Sequence, residues 1–466
     1  MGVTRTLVDY CNNLSYQQLP PEVINKVKYL AVDFLGVAAR GSLTESAEVV
    51  RHFIKGIGTG AKEGVIIGTD MKAPCQYTAL ANGTASHSIE LDDVSNEASA
   101  HPGVAVFPAA FAAAEVMRSD GKRFIEAVVL GYEVMVRLGK ALNPANHYAR
   151  GFHPTGTCGA FGAAIAASKI FNLDAEQMTS ALGIVGSQAS GLMEFLADGA
   201  WTKRLHPGWA AHNGIIAALL AKEGFKGPAT VVEGKFGFLH AYSDGSDASE
   251  FLTGLGDDFK IMKISVKPHA CCRYKQGPID GIIEVMSKNN LRPQEVEKVT
   301  LGILKAGFPI IAEPEELKYN PRTIVDAQFS MPFGAAVAML YGNASLEQYT
   351  VDRLESSEVK EMMRRVYCVP DPELNKLFPK QWPASVEITT KDGRRFSTKI
   401  DYPKGDPENP LSWQEVEGKF DELSSSVFPQ GKRKQILSKV KSLETETNIC
   451  NLANLLQGRP TELINV

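Results

Sequence analysis

Four stretches of this chain are so poor in polar residues that they leave few ways to fold: AVFPAAFAAAEVMR (105–118), FIEAVVLGYEVMVRLGKAL (124–142), GAFGAAIAASKIF (159–171) and WAAHNGIIAALLAKEG (209–224). Each has the length of a helix, and small residues around most of its circumference leave only a narrow polar face. Helices of that kind have to pack against neighbours on several sides, with their backbones close together. None reaches the roughly 18 apolar residues of a membrane span, so a large protein core is the expected home for them. At 466 residues the chain can build such a core and is too long for one ordinary domain.

The helical pattern holds over the first 265 residues. In PPEVINKVKYLAVDFLG (20–36), Val23, Val27, Leu30 and Phe34 fall on one stripe with Ile24, Ala31 and Leu35, and Pro20 and Pro21 mark the start. From about 266 the pattern changes. Val299, Leu301 and Ile303 alternate in one predicted strand and Val386, Ile388 and Thr390 in another, which the turn Lys391-Asp392-Gly393-Arg394 joins to FSTKI as a hairpin. Helical stretches PIDGIIEVMSKN, QFSMPFGAAVAMLYG and SSEVKEMMRRVY lie between the strands. After the linker YPKGDPENP (402–410), Ser412 and Glu415 form a capping box opening a last amphipathic helix. The expected fold class is therefore mainly α with an α+β second domain: a helical domain from 1–265 and 408–466, and a smaller α+β unit from 266–407.

Composition narrows the function classes. A net charge of −4 gives no general attraction to nucleic acid or anionic lipid. Seven scattered cysteines without a CxxC pair suit a reducing compartment, and the start MGVTRTLVDYC has no signal-peptide pattern, so a cytoplasmic protein is expected.

The densest chemistry lies in HSIELDDVSNEASAHPG (87–103), with two histidines and four carboxylates. His87 and Glu90 have the i, i+3 spacing of a metal-binding helical pair, but no second pair of that kind appears among the other histidines, and no metal is expected. The remaining readings are acid/base work by Glu90, Asp92, Asp93 or a histidine, and capping of the following turn by Asp92 and Asp93. ARGFHPTGTCGAFGAAIAASK (149–169) places glycines and His153 at a helix start without the spacing of a nucleotide-binding loop. Lys203 and His206 stand in a turn expected from Pro207 and Gly208, and Lys267, His269 and Arg273 stand at the domain junction. Collected in one cleft, these cations would neutralise a di- or tricarboxylate, with Arg273 able to hold one carboxylate bidentately.

Taken in order, ANGTASHSIELDD with AHPG, GFHPTGTCGAFGAA, TKRLHPGWAAHNG, VKPHACCRY and PRTIVDAQFSMPF resemble the MmgE/PrpD family over nearly the whole chain. That family includes 2-methylcitrate dehydratase, cis-aconitate decarboxylase and iminodisuccinate epimerase. The resemblance implies a helical domain built from both chain ends, a smaller α+β lid, a homodimer and a site in the cleft between the domains. It also implies catalytic roles for Glu90, His101, His153, Lys203 and Lys267, beside which Arg273, His206, Gln276 and Phe329 are expected as substrate contacts.

Glu90 stands where the decarboxylases carry Asp. Val94 replaces a Thr, Gln276 replaces a His found in many members, and Phe329 replaces the Tyr of the decarboxylase. Each of these three changes removes a proton donor or titratable group. The expectation is therefore a hydro-lyase acting on a citrate-like hydroxy acid without metal or organic cofactor. In it Lys203 and Lys267 neutralise carboxylates, while His101, His153 and Glu90 share proton transfer. The alternatives are decarboxylation of cis-aconitate, epimerisation of a dicarboxylate, and a catalytically silent polycarboxylate-binding relative.

Overall fold

A computed structural model describes residues 2–58, 60–378 and 380–458; the last eight residues of the expected C-terminal segment lie outside these. The protein is mainly helical with a small mixed sheet. No helix among the described residues is long and apolar enough to cross a membrane.

Helix Pro21–Gly41 starts on a proline at its first position, with Glu22 in the first turn and Arg40 in the last, in line with the helix dipole. Its buried face packs against Trp413–Ser424, which opens on the Ser412/Glu415 capping box. The C-terminal segment thus returns to the first helices. Lys419 on it donates to the carbonyls of Leu91 (2.7 Å) and Lys267 (2.9 Å) and pairs with Asp33 (2.6 Å).

The small-residue stretches form Gly103–Met117, Gly121–Ala141, Pro154–Ile170 and Thr202–Lys222; the other three pack on Pro154–Ile170, and Cys75–His87 lies against Gly103–Met117 and Thr202–Lys222. The reason for so many small residues is visible where Cys75–His87 crosses Thr202–Lys222. A Cβ on Gly83 would lie 2.6 Å from the Gly208 Cα, and one on Gly208 would lie 2.3 Å from the Leu80 carbonyl oxygen. The backbones touch, which sets His87 beside Lys203. Gly208→Ala is expected to cost about 3 kcal/mol, seen as a lower urea midpoint; an unchanged midpoint would mean that the crossing can open freely. The turn expected at Lys203–Gly208 is instead the start of this long helix. Pro207 removes one backbone donor and crowds the carbonyl of Lys203, and the close packing of Gly208 against residues 80–84 holds the helix regardless.

In the second half, the sheet has the strand order Val366–Pro370, Val296–Ile303, Ala384–Thr390, Arg395–Ile400, parallel in the first pair and antiparallel in the rest. The last two strands are the expected hairpin. The stretch SSEVKEMMRRVY, expected as one helix, stops at Met363, and Val366–Pro370 leaves it as an edge strand. Its Val, Tyr and Val favour extended backbone, and Pro370 sits at the strand's last residue, where a missing donor is tolerated.

The largest apolar core draws on residues 7–266 and 411–456. A second draws mainly on 270–388 and takes in Val37, Ile89, Leu91 and Leu423. A short antiparallel pair, Val94–Ser95 with Ile264–Ser265, ties the acidic stretch to the segment carrying Lys267.

Glu115, buried on Gly103–Met117, accepts the Val65 N–H through both oxygens (3.2 and 3.1 Å). Burial pushes its carboxyl up to about 8, against an ordinary value near 4.5. A carboxyl raised on folding contributes stability that is complete below its unfolded value and is lost as pH rises through the folded one. Glu115→Gln should therefore stabilise the protein at pH 8 by on the order of 3 kcal/mol and leave it unchanged at pH 4. Thermal melts at the two pH values check this, and equal shifts at both would sink it.

Candidate active site

Helix Cys75–His87 ends at His87, and the chain then turns through Glu90 with φ +58°, a left-handed conformation unusual for a non-glycine residue. The expected i, i+3 helical pair is therefore absent: Glu90 is beyond the helix, turned by its own backbone towards Lys203. Ser99, at φ +50°, is a second such residue in the same loop. His101 follows just before helix Gly103–Met117, and His153 is the residue that precedes Pro154–Ile170.

Asp92 is the hub of the cluster. Its Oδ2 lies 2.8 Å from His87 Nδ1 and 3.0 Å from His101 Nδ1. His101 Nδ1 is also 2.8 Å from the Asp93 carbonyl, which can only accept, so this nitrogen carries the proton and Nε2 is left for other work. His87 Nε2 lies 3.1 Å from Lys203 Nζ, and Lys203 forms a close ion pair with Glu90. Lys267 Nζ stands 3.7 Å from Glu90 and 3.5 Å from Asp92 Oδ1. Asp93 accepts the Gly103 N–H (2.9 Å) and the Tyr132 hydroxyl (2.6 Å), and so pins the start of the following helix.

The charges are set by these contacts. Burial alone would raise the Glu90 carboxyl, but Lys203 and Lys267 outweigh it and pull it down to about 2. Asp92 is likewise held well below the usual carboxylate range, with burial overcome by His87, Lys267 and His101. Burial lowers His87 to about 4 in spite of Asp92, and burial with His206 and Lys203 nearby takes His153 well down. Held low in this way, the Glu90 carboxyl stands as a counter-charge to the two lysines.

His87, Asp92 and His101 bring three ligand atoms within 4.8 Å of one another. The set does not fit a cation. Each histidine uses Nδ1 on Asp92 at hydrogen-bond distance, and two ammonium groups, Lys203 and Lys267, stand against the same side chains.

A cavity of about 50 Å³ opens beside the cluster, lined by Glu90, His101, His153 and Lys203 together with Val94, Met193, Phe195, Ile310, Phe329 and Trp382. Lys203 Nζ lies over the Phe329 ring at 5.4 Å. Ser99 lines both this cavity and a larger cleft of about 760 Å³ that includes Asn96, Lys140, Lys263, Tyr402 and Asp406.

Several expected substrate contacts are placed differently. Lys267 is buried behind Glu90 and Asp92 and does not line the cavity. Arg273 does, but both oxygens of Asp406 accept from its Nη2 (2.7 and 2.8 Å) and Asn96 accepts from Nε (2.9 Å). The guanidinium expected to grip a substrate carboxylate already holds one of the protein's own. Gln276 is 1% exposed and its amide binds the His269 and Cys271 carbonyls, fixing the loop at 269–271 rather than touching a ligand. His206 sits behind His153, with Nδ1 to Nδ1 at 3.0 Å. Conversely, His87, singled out in the sequence only for a metal-like spacing, and Asp92, for which acid/base work and capping are both open there, are central to the cluster. The signal for them was their closeness in sequence to Glu90 and His101.

The family model described as the MmgE/PrpD N-terminal domain matches residues 5–250, and that of the MmgE/PrpD C-terminal domain matches residues 269–445. Among curated proteins, the chain is 30% identical to "Cis-aconitate decarboxylase-like protein oryM" of Aspergillus oryzae, with 98% of each chain covered. It is 28% identical to cis-aconitate decarboxylase of Aspergillus terreus (98% of this chain, 96% of the relative). It is 26% identical to that of Homo sapiens (98% and 95%).

Proposed function

The chain belongs to the MmgE/PrpD family, and from that premise we propose that it is a lyase that decarboxylates cis-aconitate or a close polycarboxylate analogue. The observation that carries this reading is the mixed lining of the cavity. Lys203, His101 and His153 share it with Val94, Phe195, Ile310 and Phe329. A carboxylate placed against apolar side chains is poorly solvated, and leaving as neutral carbon dioxide relieves that cost. The electron pair released shifts through the adjacent double bond onto the carbon beside another carboxylate. Lys203 stabilises the charge that builds there, and a histidine supplies the proton that completes the new C–H bond. The missing hydroxyls at Val94 and Phe329, which in sequence favour dehydration, complete the apolar lining here.

Dehydration of a citrate-like acid is the second reading, because the same lining can seat the methyl group of 2-methylcitrate. The test is to incubate the protein with cis-aconitate and with citrate and 2-methylcitrate stereoisomers, following carbon dioxide and product NMR. Carbon dioxide from cis-aconitate supports the first reading. Unsaturated tricarboxylate from a hydroxy acid supports the second, and no turnover of any of them sinks both.

The cavity has room for a few waters and not for a tricarboxylate. We therefore propose that residues 266–407, which carry Arg273, Ile310, Phe329 and Trp382 to the cavity, act as a lid that moves to admit substrate.

A further inference from the structure

We propose that His206 carries protons from solvent to His153, so that the two imidazoles reload the acid of the reaction at each turnover. This rests on decarboxylation as the reaction. Breaking the bond to carbon dioxide leaves an electron pair on the remaining skeleton, and one proton must be brought in from outside for every molecule converted. Dehydration makes no such demand, since the proton removed from carbon leaves with the hydroxyl. The cavity-lining histidine that takes part is itself 2% exposed, so it needs a conduit.

His206 has the placement of one. It is only half-buried, lies outside the cavity lining, and meets His153 through Nδ1 to Nδ1 at 3.0 Å. One of these nitrogens donates and the other accepts, so each ring fixes the tautomer of its partner. With His206 as donor, His153 carries its proton on Nε2, the nitrogen with no partner among the described residues. As His153 gives that proton to carbon it takes the Nδ1 proton of His206, and His206 takes one from water at Nε2. The sum is one proton moved from water to carbon, with both rings neutral before and after; exchange with water resets them once product leaves.

The seat of the His206 ring is built by two glycines. A Cβ on Gly191 would lie 3.4 Å from the ring, and one on Gly156 would lie 3.2 Å from the His206 Cβ. The charged and titratable groups facing the pair are Lys203, His87 and His101. With burial, they disfavour a lasting positive charge on either ring and so favour transfer by tautomer exchange.

The experiment compares wild type with His206→Gln and His206→Phe on cis-aconitate, in water and in deuterium oxide, with and without added imidazole. The expected result is a fall in kcat on the order of 10²-fold with KM little changed, a larger solvent isotope effect, and partial recovery with imidazole. A fall in kcat without recovery or isotope change would mark a packing role and overturn the relay. So would an unchanged kcat. Independently of any variant, wild-type rates in mixtures of the two waters should follow a bowl-shaped curve, the mark of more than one proton in flight; a straight line overturns the proposal. If wild type releases no carbon dioxide at all, decarboxylation itself falls and the relay falls with it.

Discussion

Lys203→Met is expected to lower kcat/KM for decarboxylation by about 10³-fold. Lys203 is the one lysine that lines the cavity among the described residues, and its ammonium is held between Glu90, His87 and the face of Phe329. Those contacts fix it before substrate arrives, so little reorganisation is needed when charge develops on a substrate carboxylate. The same change also touches stability. Without Lys203, Glu90 loses its nearer ion-pair partner and keeps Lys267 at 3.7 Å, and burial then drives its carboxyl upwards. Removing one partner of a buried pair costs on the order of 3 kcal/mol, whereas removing both charges together is much less harmful. Lys203→Met with Glu90→Gln should therefore regain most of the lost stability and none of the lost activity. Kinetics and urea unfolding of the three proteins separate the two roles. If Lys203→Met keeps activity within about tenfold of wild type, the ammonium does not stabilise the transition state in the way argued from preorganised electrostatics.

The second large effect is expected at a residue that does not line the cavity, with Lys419→Met. Its ammonium joins the Leu91 carbonyl, the Lys267 carbonyl and the Asp33 carboxylate. Two of these belong to the segments that carry Glu90, Asp92 and Lys267, so the lysine fixes their relative position without approaching the substrate. Burial lifts the Asp33 carboxyl above its ordinary value even with Lys419 present. Without it, that burial is uncompensated, and a loss on the order of 3 kcal/mol is expected. A displacement near 1 Å of the site loops would lower kcat by up to about 10²-fold. Melting temperature and kcat are measured side by side. A protein that melts lower but turns over normally would show that Lys419 is only a structural tie.

Much of the fold was legible because its signals are local. Helical stripes such as Val23, Val27, Leu30 and Phe34, the Ser412/Glu415 cap and the Lys391–Arg394 turn each lie within one element. The edge strand Val366–Pro370 was not, because five residues running on from a helix carry too little pattern to show where one ends. In the site, the stretch from 87 to 103 could be recognised as chemical because its residues are neighbours in sequence. What each side chain faces could not be recognised. Arg273 has the residue type of a carboxylate clamp, but its partner Asp406 is supplied from a distant part of the chain, and only the folded arrangement shows that the guanidinium is already engaged. Gln276 and His206 are similar cases: both belong to the right motif, one turned to its own backbone and the other standing behind His153. The left-handed backbone at Glu90 carries no composition signal, since glycine or asparagine would be its usual marker.

The helix Trp413–Ser424 gives the protein a built-in delay during its own synthesis. Lys267 leaves the ribosome about 150 residues ahead of Lys419, which at roughly 5–20 residues per second is about 8 to 30 s. Through that interval the nascent chain already holds Glu90, Asp92, His101, His153 and Lys203, and the short pair of Val94–Ser95 with Ile264–Ser265 has to hold the Leu91 and Lys267 loops together without the contacts of Lys419. The buried Asp33 waits without its counter-ion. A message cut short after residue 400 would yield a product with every acid and base of the site but without the Lys419 clasp on the Leu91 and Lys267 carbonyls.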